Sequence, residues 1–370
     1  MTSLERVLES CRHRATNRVP IGPFAGFYAA RMTGVPLGRY VMDGRHIADA
    51  QIALQRRTGQ DIVLTAADAY YLAEGYGLKV RYYNEALPTC EEALLKSLGE
   101  ADDLPVLDPL KDGRMPVYLD ALERLVEAVG DRVAVRCTGT GPFSIAAYLY
   151  GMQDFLALLA EIESGEADEG DEAAVHRLIG RCAETSAAFL VAQVEAGAHL
   201  IYLGDSLASC DMISPAMYRK YAQPHHRAIF ERVKEVAASR DDVFTLLHIC
   251  GNNSSLLEDL AATGVDVLEI DQKLDLADCK RRIGGRVTLI GNLDPTQTIL
   301  RGTPDLVRQQ SVEAITKAGA GGGFILGTGC FVPYDSPIEN LKAMVEAAET
   351  FGASNNIKTS PIGTESVQKP

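Results

Sequence analysis

The chain has 370 residues, 46% of them hydrophobic and 23% charged, which is ample apolar material for a large packed core. Fifty Asp and Glu against 36 Lys and Arg give a formal charge of −14, which repels phosphate backbones and anionic lipid and argues against nucleic-acid and membrane-surface roles. No run approaches the roughly 20 apolar residues that span a bilayer. The opening MTSLERVLESCRHR mixes charges of both signs without an apolar secretory core, so a cytoplasmic protein is expected.

Taken in chain order, a helix is predicted from Ser3, followed by a β-branched apolar run at 18–24 that reads as a strand. Similar runs follow at 61–65, 133–138, 200–204, 243–250, 265–270, 287–292 and 323–327. Several are continuous rather than alternating, the pattern of strands buried on both faces. Helical spacing separates them. Tyr118, Leu122, Leu125, Val126 and Val129 recur before the third run, and Ile338, Leu341, Val345 and Ala348 after the eighth. Ser214-Pro215, Thr303-Pro304 and Ser336-Pro337 read as helix starts, Asn252 to Ser255 as another, and Gly319 as a helix end. His225 and His226, after Pro224, fall on a helix face read as exposed and receive no role.

Eight strands alternating with helices predict a (β/α)8 TIM barrel. The rival, an open doubly wound sheet, lacks its Gly-rich turn after the first strand; the glycines of AGAGGGFILGTG precede a strand and serve a helix end and a tight turn. Residues beyond the about 250 typical of the fold lie in an N-terminal helical extension, an insertion between strands 2 and 3 and the acidic run ESGEADEGDE. The insertion carries Tyr70, Tyr71, Tyr76, Tyr82 and Tyr83, read either as the wall of a pocket or, in preference, as a two-stranded unit packing its own rings. A single domain over 1–353 is expected, followed by a polar, aperiodic tail, 354–370, predicted to be disordered.

Active sites of such barrels lie at the C-terminal ends of the strands. Those ends carry Asp68, Asp205, His248, Cys250, Asp271, Asn292, Asp294 and Cys330. None of the eight cysteines forms a C-x-x-C pair, and their density is far below that of a disulfide scaffold. In the strand segment His248-Ile249-Cys250, positions i and i+2 face the same side. With Cys330 at the same rim, one imidazole and two thiolates suit zinc and leave a position for substrate. Asp271 is read either as a fourth, displaceable oxygen ligand or as a helix cap, and Asn292 and Asp294 either as substrate-orienting or as turn-forming. Asp205 and Ser206 either line the pocket or cap. Zinc already neutralised by two thiolates is a weak acid toward water but binds a thiol as thiolate. The chemistry favoured is alkyl transfer to sulfur or, in reverse, polarisation of a methoxyl oxygen.

These segments resemble the uroporphyrinogen decarboxylase family, and within it the zinc- and corrinoid-dependent methyltransferase branch. The likeness is carried by LLHICGNNSSLLEDLAATGVDVLEIDQKLD, VTLIGNLDPTQTILRGTPDLV and FILGTGCFVPYDSP. The resemblance implies a (β/α)8 barrel with zinc on His248, Cys250 and Cys330, and with Asp271 near the residue that completes the metal shell. It also implies methyl transfer between a corrinoid, carried by a separate protein docked over the barrel mouth, and a small thiol or methylated compound. The decarboxylase activity is the alternative, because Asp68 and Tyr148 fall where the decarboxylases place their essential aspartate and pocket tyrosine. Against it, IGPFAGFYAA carries Ala25 and Ala29 where two arginines would pair with the carboxylates of a porphyrinogen, and Thr328 replaces a histidine. A non-catalytic zinc- or corrinoid-binding protein, with every metal position filled by the chain, is the second alternative.

Overall fold

The computed structural model describes residues 1–354, so the predicted tail lies outside the described residues apart from Ser354, which ends the helix Ile338–Ser354. Seven parallel strands form one curled sheet: β1 (Ile62–Leu64), β2 (Ala134–Arg136), β3 (Leu200–Gly204), β4 (Phe244–His248), β5 (Val267–Glu269), β6 (Thr288–Leu293) and β7 (Phe324–Thr328). They pair in sequence order, each parallel to the next, with helices between them. This is the (β/α) arrangement of a TIM-type barrel.

The strand predicted over 18–24 is a correction: it shrinks to a single bridge, Ile21 to Leu326. Pro20 and Pro23 have no N–H to give to a ladder, so an apolar run that reads as a strand cannot propagate as one. The segment nevertheless joins the two edges of the sheet. Leu326 N donates to Pro20 O at 2.9 Å, Gly22 N to Leu326 O at 2.9 Å, and Asp61 N to Ile21 O at 2.8 Å. The buried carboxylate of Asp61 supplies what the ladder lacks. It accepts from Ile21 N at 2.8 Å, from Arg6 at 2.5 Å and from Arg18 at 2.6 and 3.1 Å.

Inside the ring Ile62, Leu64, Ala134, Leu200, Leu246, Val267, Ile290 and Ile325 pack into one apolar cluster. The helix Ser3–Cys11 closes its lower end, setting Val7 and Cys11 into the cluster, with Ser10 Oγ donating to Phe324 O at 2.8 Å. Because strand side chains alternate, the next inward positions above this cluster on β2, β4 and β5 are Arg136, His248 and Glu269. The upper layer of the interior is therefore polar.

Outside, Tyr118, Leu122, Leu125 and Val129 form the buried face of the helix Met115–Val129, as their spacing predicts. Ser214 and Thr303 cap as expected and Gly319 ends the helix Pro304–Ala318, whereas Ser336 Oγ has no hydrogen-bond partner among the described residues. The insertion carries an antiparallel pair, Val80–Arg81 with Thr89–Cys90, and Tyr82 lies 5.0 Å over the Arg114 guanidinium.

Replacing Asp61 by Asn should strand two buried guanidinium groups and destabilise the fold by about 3–5 kcal/mol. Exposed Asp131→Asn should change it by less than about 0.5 kcal/mol. Urea denaturation midpoints check this, and equal midpoints for the two variants would show that closure does not depend on Asp61.

Candidate metal centre at the barrel mouth

β4 lies between β3 and β5 and carries His248 as its last residue, facing inward; Cys250 follows where the chain leaves the sheet. The turn after it needs glycine. Gly251 has φ +96°, and a Cβ there would lie 2.5 Å from Asp211 Oδ2 and from Ser209 Oγ. Gly251 N donates to Asp271 Oδ2 at 2.8 Å, and Asn253 Nδ2 donates to the carbonyls of Ile249 at 2.8 Å and Cys250 at 3.1 Å. Cys330 stands two residues beyond β7. Its carbonyl accepts from Thr328 Oγ1 at 2.7 Å, and Gly329 N donates to Leu293 O at 2.9 Å.

The two turns bring the predicted trio together. Cys250 Sγ is 3.0 Å from His248 Nε2 and 3.6 Å from Cys330 Sγ, and all three ligand atoms lie within 4.8 Å of one another. Among the described residues this is the only such convergence of three or more His, Cys, Asp or Glu ligand atoms. One nitrogen and two sulfurs at this spacing fit zinc. His248 Nδ1 faces Glu269 O at 3.1 Å, which selects the tautomer that leaves Nε2 for a metal. Burial opposes charge on His248, yet the Cys250 sulfur and Glu269 outweigh it and raise the pKa to about 9. The hydrogen bond from Cys330, aided by His248, pulls Cys250 down against its burial, while Cys330, which keeps the proton they share and is buried, is pushed up. Metal uptake would displace these protons.

Beneath the trio is a buried ion pair that the sequence reading missed. Arg136 donates to both Glu269 oxygens, at 2.7 and 2.9 Å, and its guanidinium lies 4.1 Å from the ring centroids of both Phe24 and Tyr202. Glu269 Oε2 is in turn 3.5 Å from His248 Nδ1. The signal was available: a cation inside a continuous apolar strand run needs a buried partner.

The other rim residues fall into two groups. Asp68 and Tyr148 line a cavity of about 100 Å³ beside the trio, with Arg136, Ser206, Tyr202 and Phe331 also in its wall; Ser206 Oγ is 3.4 Å from Cys250 Sγ. Asp68 is held by Arg114 at 2.6 and 3.1 Å. The remainder face neighbouring backbone. Asp271 accepts from Gly251 N and from Lys273 N at 2.8 Å each, and Asn292 Nδ2 donates to Asp271 O and Leu274 O. Asp294 caps Thr296 and Gln297, both at 2.7 Å. Asp205, fully buried, accepts from Ser144 N at 2.7 Å and from His226 Nε2 at 2.8 Å. His226 is thus corrected from an exposed position to a fully buried one, since the helix Gln223–Val236 turns it inward onto Asp205 and Tyr218.

Comparison with known proteins bears on the family and the fold. The sequence pattern of uroporphyrinogen decarboxylase (URO-D) matches residues 2–351. Methylcobamide:CoM methyltransferase MtbA of Methanosarcina acetivorans is 28% identical over 354 residues, 95% of this chain and 98% of its own. The uroporphyrinogen decarboxylase of Carboxydothermus hydrogenoformans is 29% identical over 308 residues, covering 82% and 83% of the two chains. A solved methyltransferase from Methanosarcina mazei superposes with a TM-score of 0.81 at 25% identity, over 95% of this chain and 99% of that one. A pattern that spans almost every described residue leaves one assignment: the chain belongs to the uroporphyrinogen decarboxylase family.

Proposed function

We propose that the protein is a zinc-dependent methyltransferase that moves a methyl group between a protein-bound corrinoid and a small thiol or methylated compound. The observation that carries this reading is the convergence of His248, Cys250 and Cys330 at the open end of the barrel, beside a cavity of small-molecule size. Three protein donors leave a coordination position for substrate. Held by His248, Cys250 and Cys330, zinc would supply a position that keeps a thiol, whose free pKa is about 8.5, in its nucleophilic form at neutral pH, ready to exchange a methyl group with a corrinoid. The MtbA relative is named a methylcobamide:CoM methyltransferase, which supports methyl transfer involving a corrinoid.

The chain's own residues orient and shield. Glu269 O holds the His248 ring by Nδ1, and Asp271 and Asn253 hold the Cys250 turn. Asp68 and Tyr148 shape the cavity wall, Asp205 holds Ser144 of that wall, and Asn292 and Asp294 fix the backbone after β5 and β6. With the lower end of the barrel filled by the helix Ser3–Cys11, the corrinoid protein approaches over the mouth. All eight cysteines are unpaired, and no single helix among the described residues is long and apolar enough to cross a membrane; both suit the cytoplasm in which we place this enzyme.

The decarboxylase reading is weaker on charge. Ala25 and Ala29 are fully buried, and Thr328 is tied between Phe24 N at 3.1 Å and Cys330 O at 2.7 Å. None of the three offers a cation to a polycarboxylate.

Protein purified under reducing conditions should hold stoichiometric zinc by elemental analysis. Cys250→Ser and Cys330→Ser should lose it, and Cys182→Ser, buried in the helix Asp171–Glu195, should not. An intact chain without zinc would end the proposal. Incubated with methylcobalamin and a thiol panel, the zinc-loaded protein should demethylate the cobalamin, as followed by absorbance, and chelation should abolish this. Uroporphyrinogen should be left unchanged; release of carbon dioxide from it, with methylcobalamin intact, would reverse the ranking.

A further inference from the structure

The charges around the cavity can be counted. Asp68 and Arg136 are the charged residues in its wall. Arg136 is committed: Glu269 takes two of its N–H groups at 2.7 and 2.9 Å, Phe24 and Tyr202 lie against the guanidinium, and the side chain is 1% exposed. Behind Asp68, a single cation faces two carboxylates. Arg114 bonds Asp68 at 2.6 Å and Glu74 at 2.5 Å, leaving one negative charge unbalanced. At the rim, Lys273 is paired with Asp211 at 2.6 Å and is not part of the wall. Two thiolates cancel the charge of a zinc ion on the trio. Among the described residues, then, the cavity wall contains no uncompensated cation.

Its remaining lining is neutral and capable of hydrogen bonding. Thr65, 1% exposed, lies in the wall with its Oγ1 unpartnered among the described residues, and Tyr148 and Phe331 add aromatic surface. An anion buried here would lose its hydration without gaining a counter-charge. An alcohol would find Thr65, and an ammonium would find rings and net negative charge.

Resting on the thiol-at-zinc reading above, we infer that the substrate's remaining end is uncharged or cationic, and that this cavity selects against thiols with an anionic tail. The selection comes from pairing: each guanidinium that could have met a sulfonate or carboxylate is already held by the chain's own Glu269, Asp68 and Glu74.

Three thiols that differ only at the far end test this: 2-mercaptoethylamine, 2-mercaptoethanol and 2-mercaptoethanesulfonate. Their binding to the zinc-loaded full chain is measured by calorimetry, each corrected for its own thiol acidity. The sulfonate should bind at least tenfold more weakly than the alcohol, and the amine at least as tightly as the alcohol. Sulfonate binding equal to or tighter than the alcohol would overturn the inference. If no thiol binds zinc-loaded protein, the thiol-at-zinc reading itself fails and takes this inference with it. In Asp68→Asn, which removes the unbalanced carboxylate, the sulfonate-to-alcohol ratio should move several-fold toward unity. An unchanged ratio would overturn the assignment of selectivity to that cluster.

Discussion

Closure of the parallel sheet through residues 20–22 is the constraint on which the site depends. His248 and Cys330 come from β4 and β7, and they meet only because the sheet curls until its two edges are joined. The joining segment carries prolines that forbid a regular strand, so the seam is held by three backbone hydrogen bonds and by one carboxylate, Asp61, shared between a main-chain N–H and two arginines. A buried acceptor with several charged donors is a rigid connection, because no single donor can leave without exposing an unpaired charge to a medium that solvates it poorly.

The same logic operates one layer up. The barrel interior changes from aliphatic to ionic within a single step of two residues along β2, β4 and β5. Arg136 is tolerated there because Glu269 neutralises it and two aromatic rings accept its delocalised charge. Glu269 then has a second duty through its main-chain oxygen, which sets the orientation of the imidazole. Core packing and the His248–Cys250–Cys330 cluster are therefore joined, because Glu269 touches both Arg136 and the His248 ring.

Much of this was legible in the amino-acid order. The seven long apolar runs became strands because burial on both faces leaves an unbroken β-branched signature, and the meeting of His248, Cys250 and Cys330 followed from strand alternation at 248 and 250 together with the rim position of 330. The first strand was misread because hydropathy does not register a missing N–H; Pro20 and Pro23 are apolar residues that cannot donate. His226 was misread because a polar stretch after Pro224 resembles a solvated face, whereas the ring is drawn inward by Asp205, a partner brought near only by the fold. For Asp205, Asn292 and Asp294 the difficulty was intrinsic. A polar side chain at a strand end can serve either a ligand or the next helix, and only the positions of nearby N–H and C=O groups decide where it points.

The helix Ser3–Cys11, seated in the lower end of the ring with Ser10 bonded to β7, has a consequence for traffic. A stoppered cylinder has one doorway. Whatever reaches the polar upper layer of the interior, and whatever leaves it, crosses the same threshold.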